Sequence, residues 1–102
     1  MNDQVKLLLT YDVRAGRENA YRRFIVEEFL PQAQELGLTP TDAWHTAWGK
    51  YPSLLLGLVA EDLEAAQKVR ATPRWQKLIN KLESFTGNLK VRVVHFTGGF
   101  QW

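Results

Sequence analysis

Trp44, His45, Thr46 and Trp48, with Tyr51 just beyond, form the densest run of side chains able to hold a ligand or move a proton. Alternation with a period of two puts Trp44, Thr46 and Trp48 on one face of a strand, and Ala43, His45 and Ala47 on the other. Two indoles flanking a hydroxyl line an apolar pocket with one polar handle, which suits a small, largely apolar organic molecule. The plainer reading of the same face is core packing or burial between subunits. If the following turn is the four residues 49–52, Trp44 falls opposite Gly57, whose missing side chain leaves room for an indole. Which face of this strand looks inward is open from the residues alone, and the choice exchanges His45 for Trp44 and Trp48 as pocket residues.

His45 is the group best suited to proton transfer near neutral pH. It has no carboxylate at a motif spacing, and its partner, if it has one, must come from elsewhere in the fold, with Asp12 a candidate. A lone strand histidine is more often hydrogen-bonded structure than a catalyst. His95 reads the same way, and the two histidines share no metal-ligand spacing, so no metal site is expected. Thr10 and Asp12 lie on the mixed face of the first strand; Lys90 and Arg92 lie on the mixed face of the last, beside Val94 and Phe96. A contact between Asp12 and Arg92 across neighbouring strands would give a buried charge the partner it needs. That contact reads either as a structural ion pair at a wet rim or as a pocket in which Arg92 holds an acidic or carbonyl ligand while Asp12 orients it. Leu8 and Phe96 add apolar lining to that face.

Composition narrows the field. The 102 residues suit a single domain, and 45% hydrophobic and 12% aromatic content is too apolar for disorder. A net charge of +2 is too balanced for a nucleic-acid binder driven by phosphate attraction. There is no cysteine, which excludes disulfides, zinc–thiolate sites, iron–sulfur clusters and cysteine nucleophiles. No apolar run approaches the roughly 20 residues of a membrane helix, and Met1-Asn2-Asp3-Gln4 lacks a signal-peptide layout, so a soluble cytoplasmic protein is expected.

The elements that must position these residues follow from changes of period. Val5 to Val13 alternates as a strand with one strongly apolar face. Arg14 to Arg17 turns. Tyr21, Phe24, Ile25, Phe29, Ala33 and Leu36 form the stripe of a helix from Glu18 to Leu36; Pro31 predicts a kink or break near Leu30, and Gly37 a stop. Ala43 to Trp48 and Ser53 to Ala60 read as a hairpin around Gly49-Lys50-Tyr51-Pro52. Asp62 caps a helix from Leu63, and Thr72-Pro73 restarts it to Phe85. Thr86-Gly87-Asn88 reads as a turn before a last strand, Leu89 to Phe96. The order β-α-β-β-α-β is a ferredoxin-like α+β unit: a four-stranded antiparallel sheet, spatial order 4-1-3-2, with both helical regions on one face. The other face carries Leu8, Val94 and Phe96, too apolar to stay wet, and a second copy is the economical cover.

Three segments carry a resemblance. Tyr11-Asp12-Val13-Arg14-Ala15-Gly16 at the end of the first strand is similar to the openings of the dimeric α+β barrel superfamily, as is Ala43-Trp44-His45-Thr46 followed by Gly49. The helix restart at Ala71-Thr72-Pro73-Arg74-Trp75 resembles that superfamily's broken second helix. Among its branches the chain looks most like NIPSNAP-like domains, then the antibiotic-biosynthesis-monooxygenase type, over roughly Val5 to Phe96. The resemblance implies one dimeric barrel domain over residues 1–102, with ligands inside the barrel or between sheet and helices. It does not choose a reaction. Haem-degrading relatives ligate iron through a histidine on the second helix, and Leu63 to Phe85 contains none. No cofactor is expected.

The leading expectation is therefore a homodimer that binds a small, largely apolar organic molecule, with Leu8, Thr10, Trp44, Thr46, Trp48 and Phe96 as ligand residues. The competing expectation is a cofactor-independent monooxygenase or isomerase acting on a small aromatic or carbonyl substrate. It would use His45 or Asp12 as base and Arg92 as electrostatic partner. RNA recognition by this strand order needs stacking aromatics on the central strands, and Ser53 to Ala60 has none.

Overall fold

A computed structural model describes residues 3–46 and 53–95. Trp48, Tyr51, the turn 49–52, Phe96 and the Gly98–Trp102 tail lie outside the described residues. Nine elements follow in order: β1 (Val5–Val13), α1 (Glu18–Phe24), a π turn (Ile25–Phe29), α2 (Leu30–Glu35), β2 (Thr39–Thr46), β3 (Ser53–Ala60), α3 (Leu63–Arg70), α4 (Pro73–Phe85) and β4 (Thr86–His95).

The strands pair antiparallel in the order β2-β3-β1-β4, as the right-handed crossovers require. Strand alternation divides β1 cleanly. Val5, Leu7, Leu9 and Tyr11 are buried in one layer with Leu56 and Leu58 of β3 and the inward faces of the helices. Lys6, Leu8, Thr10 and Asp12 occupy the opposite face. Trp75, Leu78, Leu82 and Phe85 supply the α4 side of the core, Ala66 and Val69 the α3 side, and Phe24, Phe29 and Ala33 the α1–α2 side. Phe29 sits between Phe24 and Trp75, with ring centroids at 5.9 and 5.8 Å.

The kink expected near Leu30 takes another form. The chain stays helical from Glu18 to Glu35, and the irregularity is the π turn one turn earlier. A regular helix advances about 100° per residue, so Phe29, five residues after Phe24, would sit about 140° away from it around the axis. The π turn absorbs the extra residue, and both rings face the core. Leu30 N–H reaches back five residues to the Ile25 carbonyl, and Pro31, next in line, has no N–H to place. The widened turn therefore falls where the proline interrupts the ladder anyway. Val26, off the stripe, is 67% exposed, whereas Leu30 packs partly against the core.

Two strands start earlier than expected. β2 begins at Thr39 rather than Ala43: Pro40 is tolerated on this edge strand, and the register shifts between Pro40 and Asp42 as at a bulge. Thr86-Gly87-Asn88 is not a turn. Thr86 closes α4 in extended conformation, its hydroxyl donating to the Leu82 carbonyl at 2.9 Å, and β4 starts there. Asn88 takes a positive φ of 56°, which a short polar side chain tolerates, at the register shift opposite Thr10 and Asp12.

The restart between α3 and α4 follows the expected capping. Thr72 Oγ1 accepts from Trp75 N–H at 3.1 Å with Pro73 in the first turn, and Asp62 Oδ1 caps α3 through Ala65 N–H at 2.7 Å. Thr72→Ala is expected to lower stability by about 1 kcal/mol, read as a lower urea midpoint at unchanged slope. Among the described residues, no helix is long and apolar enough to cross a membrane.

Candidate functional site

The register lays out the face away from the helices as four rows. One row is Thr39, Val59, Lys6 and Val94. Next come Asp42, Gly57, Leu8 and Arg92, then Trp44, Leu55, Thr10 and Lys90. The last row runs Thr46, Ser53, Asp12 and Gly87. Leu8, Thr10, Asp12, Leu55 and Val94 are half-buried, and Lys90 and Arg92 are exposed. The end of the face near the first row differs: Lys6 and Val59 are 5% and 6% exposed, and Gly57 is buried. The result is an apolar centre, one end that is withdrawn from water and holds Lys6, and two exposed cations along the β4 edge.

The register also answers which way β2 faces. Trp44 and Thr46 hold positions in the rows of Thr10 and Asp12, on the face away from the helices. His45 pairs with Leu54, which in turn pairs with Tyr11, so its row belongs to the helix side of the sheet. The expected opposition of Trp44 and Gly57 is not found. Asp42 is opposite Gly57 and Trp44 is opposite Leu55, two residues away from the assumed pairing.

The catalytic candidates do not converge. His45 stands on one side of the sheet by register, Asp12 and Arg92 on the other, so Asp12 is not placed to partner His45. Arg92 pairs with Leu8 and Asp12 with Gly87, which offsets the two along β1 by four residues, or about 13 Å. Asp12 Oδ2 instead accepts from Asn88 Nδ2 at 3.0 Å. His95, exposed at the end of β4, pairs with Val5. Among the described residues no group of three His, Cys, Asp or Glu side chains could hold a metal ion.

A second polar feature lies on the helix side. The Tyr11 and Tyr21 hydroxyls are hydrogen-bonded to each other, with the rings edge to face at a centroid distance of 5.7 Å. β1 brings Tyr11 into the core and the first turn of α1 lays Tyr21 over it. Burial pushes the Tyr11 phenol far above the ordinary tyrosine range, and the neighbouring Tyr21 pushes it further. Tyr21 is also raised by burial, against which the bond from Tyr11 acts. The sequence places Tyr11 on the first strand and Tyr21 on the helix stripe, without joining them. The missed signal is that a phenol in a buried row must find a partner, and the helix stripe offers one.

The raised phenols have a pH consequence. The folded state keeps protons that the unfolded chain releases near pH 10, so this contribution is intact below about pH 10 and is lost as pH rises further. Urea unfolding at pH 8 and pH 11 is expected to show a large alkaline loss in the natural protein and a smaller one in Tyr11→Phe. Equal losses would remove Tyr11 as the titrating group.

Structural comparison places the chain among known folds. It superposes on a NIPSNAP family protein from Agrobacterium tumefaciens with a TM-score of 0.70 at 21% identity, covering 96% of this chain and 90% of the other. An uncharacterized NIPSNAP-like domain protein from Burkholderia xenovorans gives 0.70 at 19%, over 99% and 91%. A protein provisionally named an antibiotic biosynthesis monooxygenase, from Nitrosomonas europaea, gives 0.73 at 10%, over 99% and 97%. The chain thus shares with them the ferredoxin-like fold that its element order predicts. No protein-family model and no curated protein sequence matches it.

Proposed function

We propose, from a fold shared with NIPSNAP family proteins and provisionally named monooxygenases, that the chain forms a homodimer through its open sheet face and binds a small, largely apolar organic molecule there. The observation that carries the reading is the composition of that face. Leu8, Leu55 and Val94 occupy neighbouring register positions and form a half-buried apolar centre, with Thr10 beside it as a polar handle. A chain of this size buries only roughly 60–65% of its unfolded surface, so pairing the face with a copy adds needed burial. Leu8, Thr10, Trp44 and Thr46 share this face by register, and we assign them to the ligand together with Trp48 and Phe96.

Binding is favoured over turnover because His45 stands across the sheet from Asp12 and Arg92. A base and its electrostatic partner must both reach the reacting atoms; His45 and Arg92 lie on opposite sides by register, and Asp12 and Arg92, on one side, are offset by about 13 Å along β1. The expected result of a tryptophan-fluorescence screen against small aromatic and aliphatic compounds is saturable quenching by a subset, abolished by Thr10→Asp. Oxygen uptake with the same compounds is expected to stay at the protein-free rate. Uptake that requires His45, Asp12 or Arg92 would overturn the choice and establish the monooxygenase.

A further inference from the structure

We propose that the ligand of the open face is an unbranched organic acid of about eight carbons, its carboxylate held by Lys90 and Arg92 and its tail running over Leu8 towards Gly57. This deepens the reading above and rests on it, since the argument turns on what happens when a second copy covers the face.

Lys90 and Arg92 are exposed, two residues apart on the same side of β4, about 7 Å along the strand. Neither makes an ion pair among the described residues. The third cation of the face, Lys6, is 5% exposed and already has an interaction of its own. The acids of the same face lie elsewhere. Asp12 is opposite Gly87 and takes a hydrogen bond from Asn88 at 3.0 Å. Asp42 stands on β2, three strand spacings or about 14 Å across the sheet from Arg92.

Covering two unpaired cations with an apolar surface carries a desolvation penalty of several kcal/mol per ion unless an anion comes with the cover. A carboxylate supplies two oxygens to the Arg92 fork and leaves a lone pair for the Lys90 ammonium. The path for the rest of the molecule is marked by the row that Arg92 begins. Leu8 is its direct neighbour, and Gly57, with no side chain, is the next position, flanked along β3 by Leu55 and Val59. Gly57 and Val59 are already out of water, as is Lys6 in the row of Val59, so the tail lies chiefly over Leu8 and Leu55. From Arg92 to Gly57 is two strand spacings, about 10 Å, which an extended chain of about eight carbons spans. Exposed cations along the β4 edge and apolar positions on the inner strands beside them fit an acid bound with its head at that edge.

Titration calorimetry of the whole chain with octanoate and with octanamide separates head-group recognition from tail burial. Octanoate is expected to bind at least 10-fold more tightly than octanamide, and the K90Q/R92Q variant to bring it down to the amide's level. Both substituted residues are exposed, and circular dichroism checks that the variant folds. Equal affinities, undiminished octanoate binding in the variant, or no binding of either probe would each overturn the proposal. Sedimentation of the same samples tells the failures apart: a dimer without acid preference loses this inference alone, whereas a monomer loses the homodimer reading as well. If Asp42→Asn dissociates the dimer while octanoate is not bound, the second copy supplies the anion and the proposal is wrong.

Discussion

Leu55→Asp is expected to turn a dimer into a folded monomer. Leu55 is half-buried on the open face, between Thr10 and the register position of Trp44, and no cation pairs with it across either strand. In a covered face the new carboxylate has no cation at a paired position, Lys90 of its row being two strand spacings or about 10 Å away, and an unpaired buried charge costs about 3–5 kcal/mol. Symmetry introduces two such charges per dimer. Even a penalty of about 3 kcal/mol weakens association by more than about 100-fold. In a single chain the same aspartate faces water on one side, so the circular dichroism spectrum should hardly change. Sedimentation velocity reads the outcome. A variant that remains a dimer at micromolar concentration would mean that another surface joins the copies.

The second large effect belongs to the core. Phe29→Ala removes a fully buried ring seated between Phe24 and Trp75, and should lower stability by about 3–5 kcal/mol. Domains of this size hold only about 5–15 kcal/mol in total, so the variant is expected to melt many degrees lower. Val26→Ala is the control. It lies in the same π turn but is 67% exposed, and its loss should change stability by less than about 0.5 kcal/mol. If the two variants behaved alike, the π turn would not be serving the Phe29 contact.

These two residues also mark where the sequence was informative. Architecture was legible because each strand and helix has its own hydrophobic period. The alternation of Val5 to Tyr11 and the caps at Asp62 and Thr72 act through neighbouring residues alone. The π turn was not legible as such. The five-residue gap from Phe24 to Phe29 is visible, but Ile25 fills it at a normal helical spacing and hides the extra residue. Strand starts were misplaced where a tertiary contact decides: Pro40 pairs with Leu58, and Gly87 with Asp12, against their turn-forming character.

The candidate site was legible as a face and not as a constellation. Leu8, Thr10, Asp12 and Arg92 fall on one side because alternation is local. The pairing of Trp44 depends on the length of the hairpin turn, and a two-residue error moved it from Leu55 to Gly57. Whether His45 shares a side with Asp12 depends on pairing across three strands, which no local pattern carries. The Tyr11–Tyr21 bond joins a strand to a helix stripe, and only the packing of the two layers shows it.

Native mass spectrometry of the purified protein, beside a denatured control, reads the assembly and its ligand together. The subunit is 11.8 kDa. A dimer of twice that mass is expected, carrying a small organic adduct that the denatured chain loses. A stable monomer that takes up no small molecule would contradict this expectation.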